Sequence, residues 1–481
     1  MSRGISKLGV NWSSPLSKDA SPTFFEFAKF LDKSYYSSSG ISTDLRRVDF
    51  KFSDSDKKFN DSSKSLFASS YSIDDELKTW RKTDAIVFGR KTKLKYKFHG
   101  GHGVPYKQGF ASVKLKGIDD SGELLLTQCF SEANGVNQAF TVLNDFLQLY
   151  GPGIGEIVLS NLNGTPNSEH WLHEELDSTY MYAKYGLSHF KSFELNDEWD
   201  KHFKRISHTS VLDSFYYFLD IKSGSERDSK YNRIFKSFYD KLDLSALNKE
   251  YMGRFLALLY LYNDPHYIQG DNNQWILNLD DSLFYAFSRN EGTYEKVTDL
   301  DNFDEALFQK RESATTMIYK KSVCDSLILH YRNEHFYSLL KRKESILDSI
   351  DLVLSRAMGI HHKYSLSYSR TKFLVEKFQA TIRHNLAQFE SYLTRGEVIA
   401  AVEGDLNVIR FTSDLRVPFL LYWENDSVVM NTFELKLSER GDIKKKIGEI
   451  ELPINGRNVD DIILLNYFTG DTIKNFTYNF F

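Results

Sequence analysis

Lys93-Leu-Lys-Tyr-Lys-Phe98 alternates between charged and apolar side chains without a break. In an extended strand successive side chains point to opposite faces, so the three lysines share one side and Leu94, Tyr96 and Phe98 share the other. The strand lies within a basic stretch. Between Arg81 and Lys116 there are ten basic residues (Arg81, Lys82, Arg90, Lys91, Lys93, Lys95, Lys97, Lys107, Lys114 and Lys116) against one acid, Asp84. His99-Gly-Gly-His-Gly103 follows, a glycine loop whose backbone can approach a ligand closely. A lysine-faced strand beside such a loop suits phosphate backbones, because it supplies charge without sequence readout. The competing explanation is that the lysines guard an exposed sheet edge against pairing with another chain.

Around this strand the pattern is of strands and one helix. Asp84-Ala-Ile-Val-Phe88 reads as a short strand. Ala111 to Lys116 alternates and meets a hairpin-type turn at Asp119-Asp-Ser-Gly122, and Leu124 to Phe130 returns. Phe140, Leu143, Phe146, Leu147 and Tyr150 fall at helical spacing, and Gly151-Pro-Gly153 stops that helix. Glu156 to Ser160 reads as a buried strand. The order hairpin, helix, strand from 84 to 162 resembles the opening of an RNase H-like fold, shared by RNases H and by transposase and integrase cores. The resemblance implies two metal ions held on carboxylates at strand ends, with Asp84 in the first acidic position. The second position reads Ser160-Asn-Leu-Asn163, without a carboxylate.

Residues 35–75 are rich in Ser, Asp and Lys, which predicts a long surface segment, preceded by a short helix from Pro22 to Leu31. From about 195 to 400 apolar residues recur three and four apart, predicting helices over Val211–Leu219, Tyr231–Leu244, Tyr251–Tyr262, Phe303–Glu312, Ser322–Leu340 and Lys372–Leu393. Leu340, Leu347, Ile350 and Leu354 read as a stripe on one helix ended by Gly359, and 264–300 as a polar, acidic piece. After Arg395-Gly396 the period switches to two, as in Phe433, Leu435 and Leu437 and in Phe476, Tyr478 and Phe480. Turns recur at Asn425-Asp426, Arg440-Gly441, Asn455-Gly456 and Thr469-Gly-Asp471, so an antiparallel meander or small sandwich of about five strands is expected. The fold class is multidomain α+β: an N-terminal helix and surface segment (1–79), an α/β region with the basic strand (80–194), a mainly helical region (195–397) and an antiparallel β domain (398–481).

The 481 residues, 41% apolar and 15% aromatic, have ample capacity for sizeable cores. A net charge of −4 does not by itself suggest a polyanionic partner. Cys129 and Cys324 are too few for a disulfide framework or a structural zinc site. The opening residues carry no apolar signal core, and the longest apolar run, Phe255 to Tyr262, is far short of the ~20 residues of a membrane span. A cytoplasmic protein with no membrane partner is expected.

Two catalytic constellations, and two histidine pairs that could ligate a metal, are compatible with the chain. Asp414, followed by Glu434-Leu-Lys436 on a later strand, resembles the metal-dependent nuclease pattern PD-(D/E)xK, which would use magnesium or manganese. The same Glu and Lys also fit the solvent face of an amphipathic strand. Arg356-Ala-Met-Gly-Ile-His361 resembles the Arg-x-His motif of HEPN ribonucleases, and Arg383-His-Asn385 the polar start of that motif. His170-Trp-Leu-His173, with Glu174, offers two imidazoles expected on one helical face, and His99 and His102 lie on the glycine loop. No P-loop, GxGxxG or GxSxG is present.

The leading expectation is a non-catalytic binding or assembly component with no cofactor, holding nucleic acid or another polyanion on the Arg81–Lys116 surface. Its helical region, with aromatics such as Phe215, Tyr216, Tyr217 and Phe218, would engage a protein partner. The alternatives are a nuclease and a protein–protein scaffold.

Overall fold

The computed structural model of the chain describes residues 45–69, 78–99, 112–118, 122–127, 131–153, 155–162, 168–195, 219–220, 229–263, 274–288, 294–309, 314–359, 366–403, 407–474 and 476–480. The chain divides into two compact units. The first comprises Met1–Val142, Gly151–Ser188 and Asp348–Gln379, and the second Leu143–Tyr150, His189–Leu347 and Ala380–Phe481.

The first unit is built on a closed barrel. Its strands are β1 (Arg47–Lys51), β2 (Arg81–Val87), β3 (Arg90–His99), β4 (Ser112–Lys116), β5 (Glu123–Thr127), β6 (Glu156–Ser160) and β7 (Ser168–Glu174), joined in the order β1-β2-β3-β4-β5-β7-β6. Every neighbouring pair is antiparallel except β1 and β6, which close the barrel in parallel. At that seam the Asn161 side chain accepts from the Phe50 N–H and donates to its carbonyl, both at 2.8 Å, extending the ladder where the strands part. The inward side chains form one apolar core that includes Val48, Phe50, Leu94, Tyr96, Phe98, Val113, Leu115 and Leu126. Strands β2 and β3 are joined by Phe88 and Gly89 alone, with φ of 53° and 82°. Two positive φ angles in a two-residue loop match the right-handed twist of the strands it joins, and glycine takes the second without strain.

Helix α1 (Asp54–Ser69) lies between β1 and β2 in sequence and packs at one end of the barrel. Tyr96 donates its hydroxyl to Asn60 Oδ1 at 2.9 Å, and Phe67 meets Phe98 edge-on with ring centroids 5.5 Å apart. Within the surface segment predicted over 35–75, the described residues 45–69 form β1 and a docked helix instead, and the rest of that segment, like the helix predicted from Pro22 to Leu31, lies outside the described residues. The composition misleads because α1 buries only one narrow stripe, Asp56, Asn60 and Phe67, and leaves Ser55, Lys57, Lys58, Ser62 and Ser65 to water, while Lys64 donates to the Leu162 carbonyl. The first unit also holds α2 (Ser131–Phe146), which runs on into the second unit, and α3 (Ser178–Tyr185), capped by Asp177. The expected helix containing His170 and His173 is instead β7.

The second unit contains α4 (Ser229–Lys241), α5 (Lys249–Tyr262), α6 (Phe303–Gln309), α7 (Ala314–Val323), α8 (Ser326–Lys341), the start of α9 (Lys343–Gly359) and the C-terminal half of α10 (Leu366–Thr394). From Tyr251 to Tyr262 every residue of α5 but Arg254 is buried, which makes it the central helix of the unit. Gly253 lets α8 approach, since a Cβ there would stand 2.5 Å from that of Tyr331. In the core Arg332 donates to Asp304 and to the Tyr392 hydroxyl, each at 2.6 Å, and lies against the rings of Tyr260, Phe336 and Tyr392.

Two readings of this region need correction. The stripe from Leu340 to Leu354 does not lie on one helix, because the chain breaks at Arg342 between α8 and α9. The piece over 264–300 is not merely polar: β10 (Gln274–Asn278) and β11 (Leu283–Phe287) form a hairpin that continues into β8 (Phe190–Leu195) and β9 (Leu219–Asp220) as a four-stranded sheet. Its apolar residues come in runs too short for periodicity to declare a strand. The helix predicted over Val211–Leu219 falls almost wholly outside the described residues.

The C-terminal part is the expected antiparallel β region, with more strands than anticipated. A four-stranded sheet β18-β13-β12-β20, a three-stranded sheet β15-β14-β19 and the hairpin β16-β17 are formed from β12 (Val398–Glu403), β13 (Val408–Ser413), β14 (Phe419–Trp423), β15 (Asp426–Met430), β16 (Phe433–Leu437), β17 (Ile443–Ile447), β18 (Glu449–Pro453), β19 (Ile462–Asn466) and β20 (Phe476–Phe480). Among the described strands of this region, only β12 and β20 pair in parallel. The first two sheets share one core containing Val398, Phe411, Phe419, Trp423 and Leu464. Among the described residues no helix is long and apolar enough to cross a membrane.

Candidate functional site

The basic stretch forms the outer wall of the barrel across β2, β3 and β4. Leu94, Tyr96 and Phe98 fill the core, so the alternate residues Lys93, Lys95 and Lys97 face outward. Strand pairing then lines up cations from different strands. Lys82 stands directly opposite Lys95, and Lys95 directly opposite Lys116, giving a row of three lysine positions across three neighbouring strands. One step along, Lys97 faces Lys114. Two residues along β3 the other way, Asp84 lies between Lys51 and Lys93. Each of β2, β3 and β4 has a hydrogen-bonded neighbour on both sides, so protection of a sheet edge does not explain these lysines.

The ten predicted basic residues have different surroundings. Arg81 points to the barrel end, where its guanidinium donates twice to Asp56 Oδ1, at 2.7 and 3.0 Å, and stacks over Phe59. The Ser53 hydroxyl, followed by Arg81, holds the Asp56 carboxyl below its usual range, while Asp56 pushes the guanidinium up. Arg81 thus fastens α1 to the barrel. Lys114 pairs with Glu175 at 3.3 Å, both side chains nearly covered, and Lys116 pairs with Glu123 at 2.5 Å. Lys82, Arg90, Lys91, Lys93 and Lys95 are all exposed, and no described acidic side chain forms an ion pair with them. Lys107 and the glycine loop with His102 lie outside the described residues.

One residue at this face was missed in the sequence. Trp80 precedes β2, two positions before Lys82 and on the same side by the period of two. Lys97 and Lys116 each place their ammonium 5.0 Å from its ring centroid, and 36% of the residue stays exposed. Extending the alternation one step upstream of Lys82 was the signal that would have found it.

The catalytic candidates are placed as follows. Asp414 is exposed on the turn after β13, where its carboxylate accepts the Glu397 N–H at 2.7 Å. Glu434 and Lys436 lie on the open face of β16 and pair with each other at 3.2 Å. Arg356 is exposed in the last turn of α9, and His361 lies outside the described residues. His384 contacts the Val297 carbonyl at 2.6 Å, and Asn385 makes three hydrogen bonds to the backbone at Leu261, Glu295 and Val297, as a staple between segments. His170 and His173 are both buried on β7 and, three residues apart in a strand, point to opposite faces. Among the described residues no group of three His, Cys, Asp or Glu side chains is arranged to hold a metal ion. The aromatics at 215–218 lie outside the described residues.

In comparisons with known proteins the chain matches no family model, and no curated sequence matches it.

Proposed function

We propose that the chain is a non-catalytic binding or assembly component that holds nucleic acid or another polyanion on the outer face of β2, β3 and β4. The observation that carries this reading is the row Lys82–Lys95–Lys116. Like charges directly opposite across a ladder destabilise a sheet. In a closed barrel that cost brings no edge protection, whereas an arriving phosphate chain neutralises Lys82 and Lys95, which no described acidic side chain pairs, and releases its own counterions. Arg90, Lys91 and Lys93 extend the positive surface along β3.

The test is fluorescence anisotropy with a labelled 30-nucleotide single strand and the corresponding duplex over a salt series. The affinity should fall steeply with salt, with a log–log slope of about −2 to −4 for roughly three to five phosphates neutralised. Lys82→Glu combined with Lys95→Glu should lower affinity at least tenfold at low salt. Unchanged affinity in that variant removes the reading.

A second reading, a protein–protein scaffold, draws on the outer face of β15-β14-β19. There Tyr422 and Ile463 are cross-strand neighbours, 40% and 53% exposed, and Val429 is 55% exposed. A chain that binds no nucleic acid but purifies with one stoichiometric protein, released by Val429→Asp with Ile463→Asp, would favour it.

A further inference from the structure

The face described above combines two chemistries. The lysine rows supply charge at the spacing of neighbouring strands, and Trp80 supplies an aromatic surface at one end of them. Duplex backbones need only the charge. An indole left about a third exposed beside a positive strip serves a ligand that presents both phosphates and unpaired flat rings.

We propose that the ligand class of this face is single-stranded nucleic acid, with one base stacked on Trp80 and the adjoining phosphates running over Lys82, Lys95 and Lys93. This rests on the polyanion reading of the same face and narrows it. Lys97 and Lys116 hold the indole against the barrel wall through contacts to its ring, so the platform is set in place before a base arrives. Lys116 is itself anchored by Glu123. Trp80 precedes Lys82 by two residues, so the strand's alternation carried one step upstream of β2 places both on the outer side, about 7 Å apart along the chain and within reach of one nucleotide. A base stacks on the indole through its π-face, so the site takes any sequence, and RNA and DNA single strands share the chemistry.

The experiment compares the wild-type chain with Trp80→Ala, Trp80→Phe and the Lys82→Glu/Lys95→Glu variant. The probes are a labelled 12-nucleotide single strand, its 12-base-pair duplex and a heparin oligosaccharide of similar charge. Trp80→Ala should weaken single-strand binding by about tenfold, the loss expected for one stacked base. It should leave the salt slope, the duplex affinity and the heparin affinity unchanged, and Trp80→Phe should restore most of the loss. Circular dichroism and thermal melting check that each variant folds. Equal affinity of wild type and Trp80→Ala for the single strand, with the lysine variant still impaired, overturns the stacking inference and leaves the polyanion reading standing. An equal loss on all three probes in Trp80→Ala also overturns it, because the residue then acts only by placing its lysines. Absence of binding to every probe in the wild type overturns both.

Discussion

Arg81 and Lys82 are sequence neighbours with opposite roles, because adjacent strand residues point to opposite faces. Arg81 turns toward the barrel end and binds Asp56, whereas Lys82 turns to solvent and joins the row with Lys95. The Asp56 carboxyl, held low by Ser53 and Arg81, contributes stability that is complete above its unfolded value of about 4 and is lost as pH falls through the lower folded value. His335 on α8 adds a second acid-sensitive group. Burial, followed by the Arg254 guanidinium, holds its imidazole down at about 4 against an unfolded value of about 6.5, with Arg342 adding to the depression and Glu250 opposing it. Between those values the unfolded chain binds a proton that the folded chain does not, so stability falls as pH drops from about 6.5 to about 4. His335→Gln should flatten that part of the curve of melting temperature against pH and leave the Asp56-dependent part below it. An unchanged curve would show that the imidazole is not the group responsible.

At the scale of the element, the β2–β3 hairpin carries the proposed binding face and the like-charge pairing of Lys82 with Lys95. Gly89 holds φ at +82°, and Gly89→Val should destabilise the barrel by about 1–2 kcal/mol, seen as a shifted urea midpoint. Lys95→Glu should do the reverse. A carboxylate opposite Lys82 replaces a repulsion with an attraction, while Lys116 is already paired with Glu123, so the midpoint should rise by a few tenths of a kcal/mol, and under the proposed function nucleic-acid affinity should drop. A gain in stability with a loss of binding marks a residue kept for its ligand. The lysine alternation was readable in Lys93–Phe98 because one face of the strand is buried and the period is two. The row across strands was not, since register depends on which turns join them, and the Phe88-Gly89 turn carries none of the usual Asn-Gly or Asp-Gly signature. α1 was missed for a related reason: its fit to the barrel end relies on Asn60, Asp56 and single phenylalanines, contacts invisible to any average over composition.

For the molecule as a whole, the second unit depends on a buried charge. Arg332 and Asp304 are both within 1% of full burial, and Tyr392 completes their hydrogen bonding. Asp304→Ala strands the guanidinium among Tyr260, Phe303 and Phe336 and should cost about 3–5 kcal/mol, read by chemical denaturation of the full chain. A second, unshifted transition in that variant would show that the two units unfold with separate stabilities. Several features followed from the sequence alone: the α+β class, the switch from a helical period to a strand period near Gly396, and the two-faced strand with its lysines on one side. These are local consequences of side-chain alternation against a buried face. Closure of seven strands into a barrel, the three-lysine row, the withdrawal of Arg81 into a helix contact and the placing of Trp80 beside Lys97 and Lys116 came only with tertiary structure. Each depends on segments distant in sequence, and a single chain's pattern of apolar and charged residues specifies which face a residue takes but not what stands opposite it.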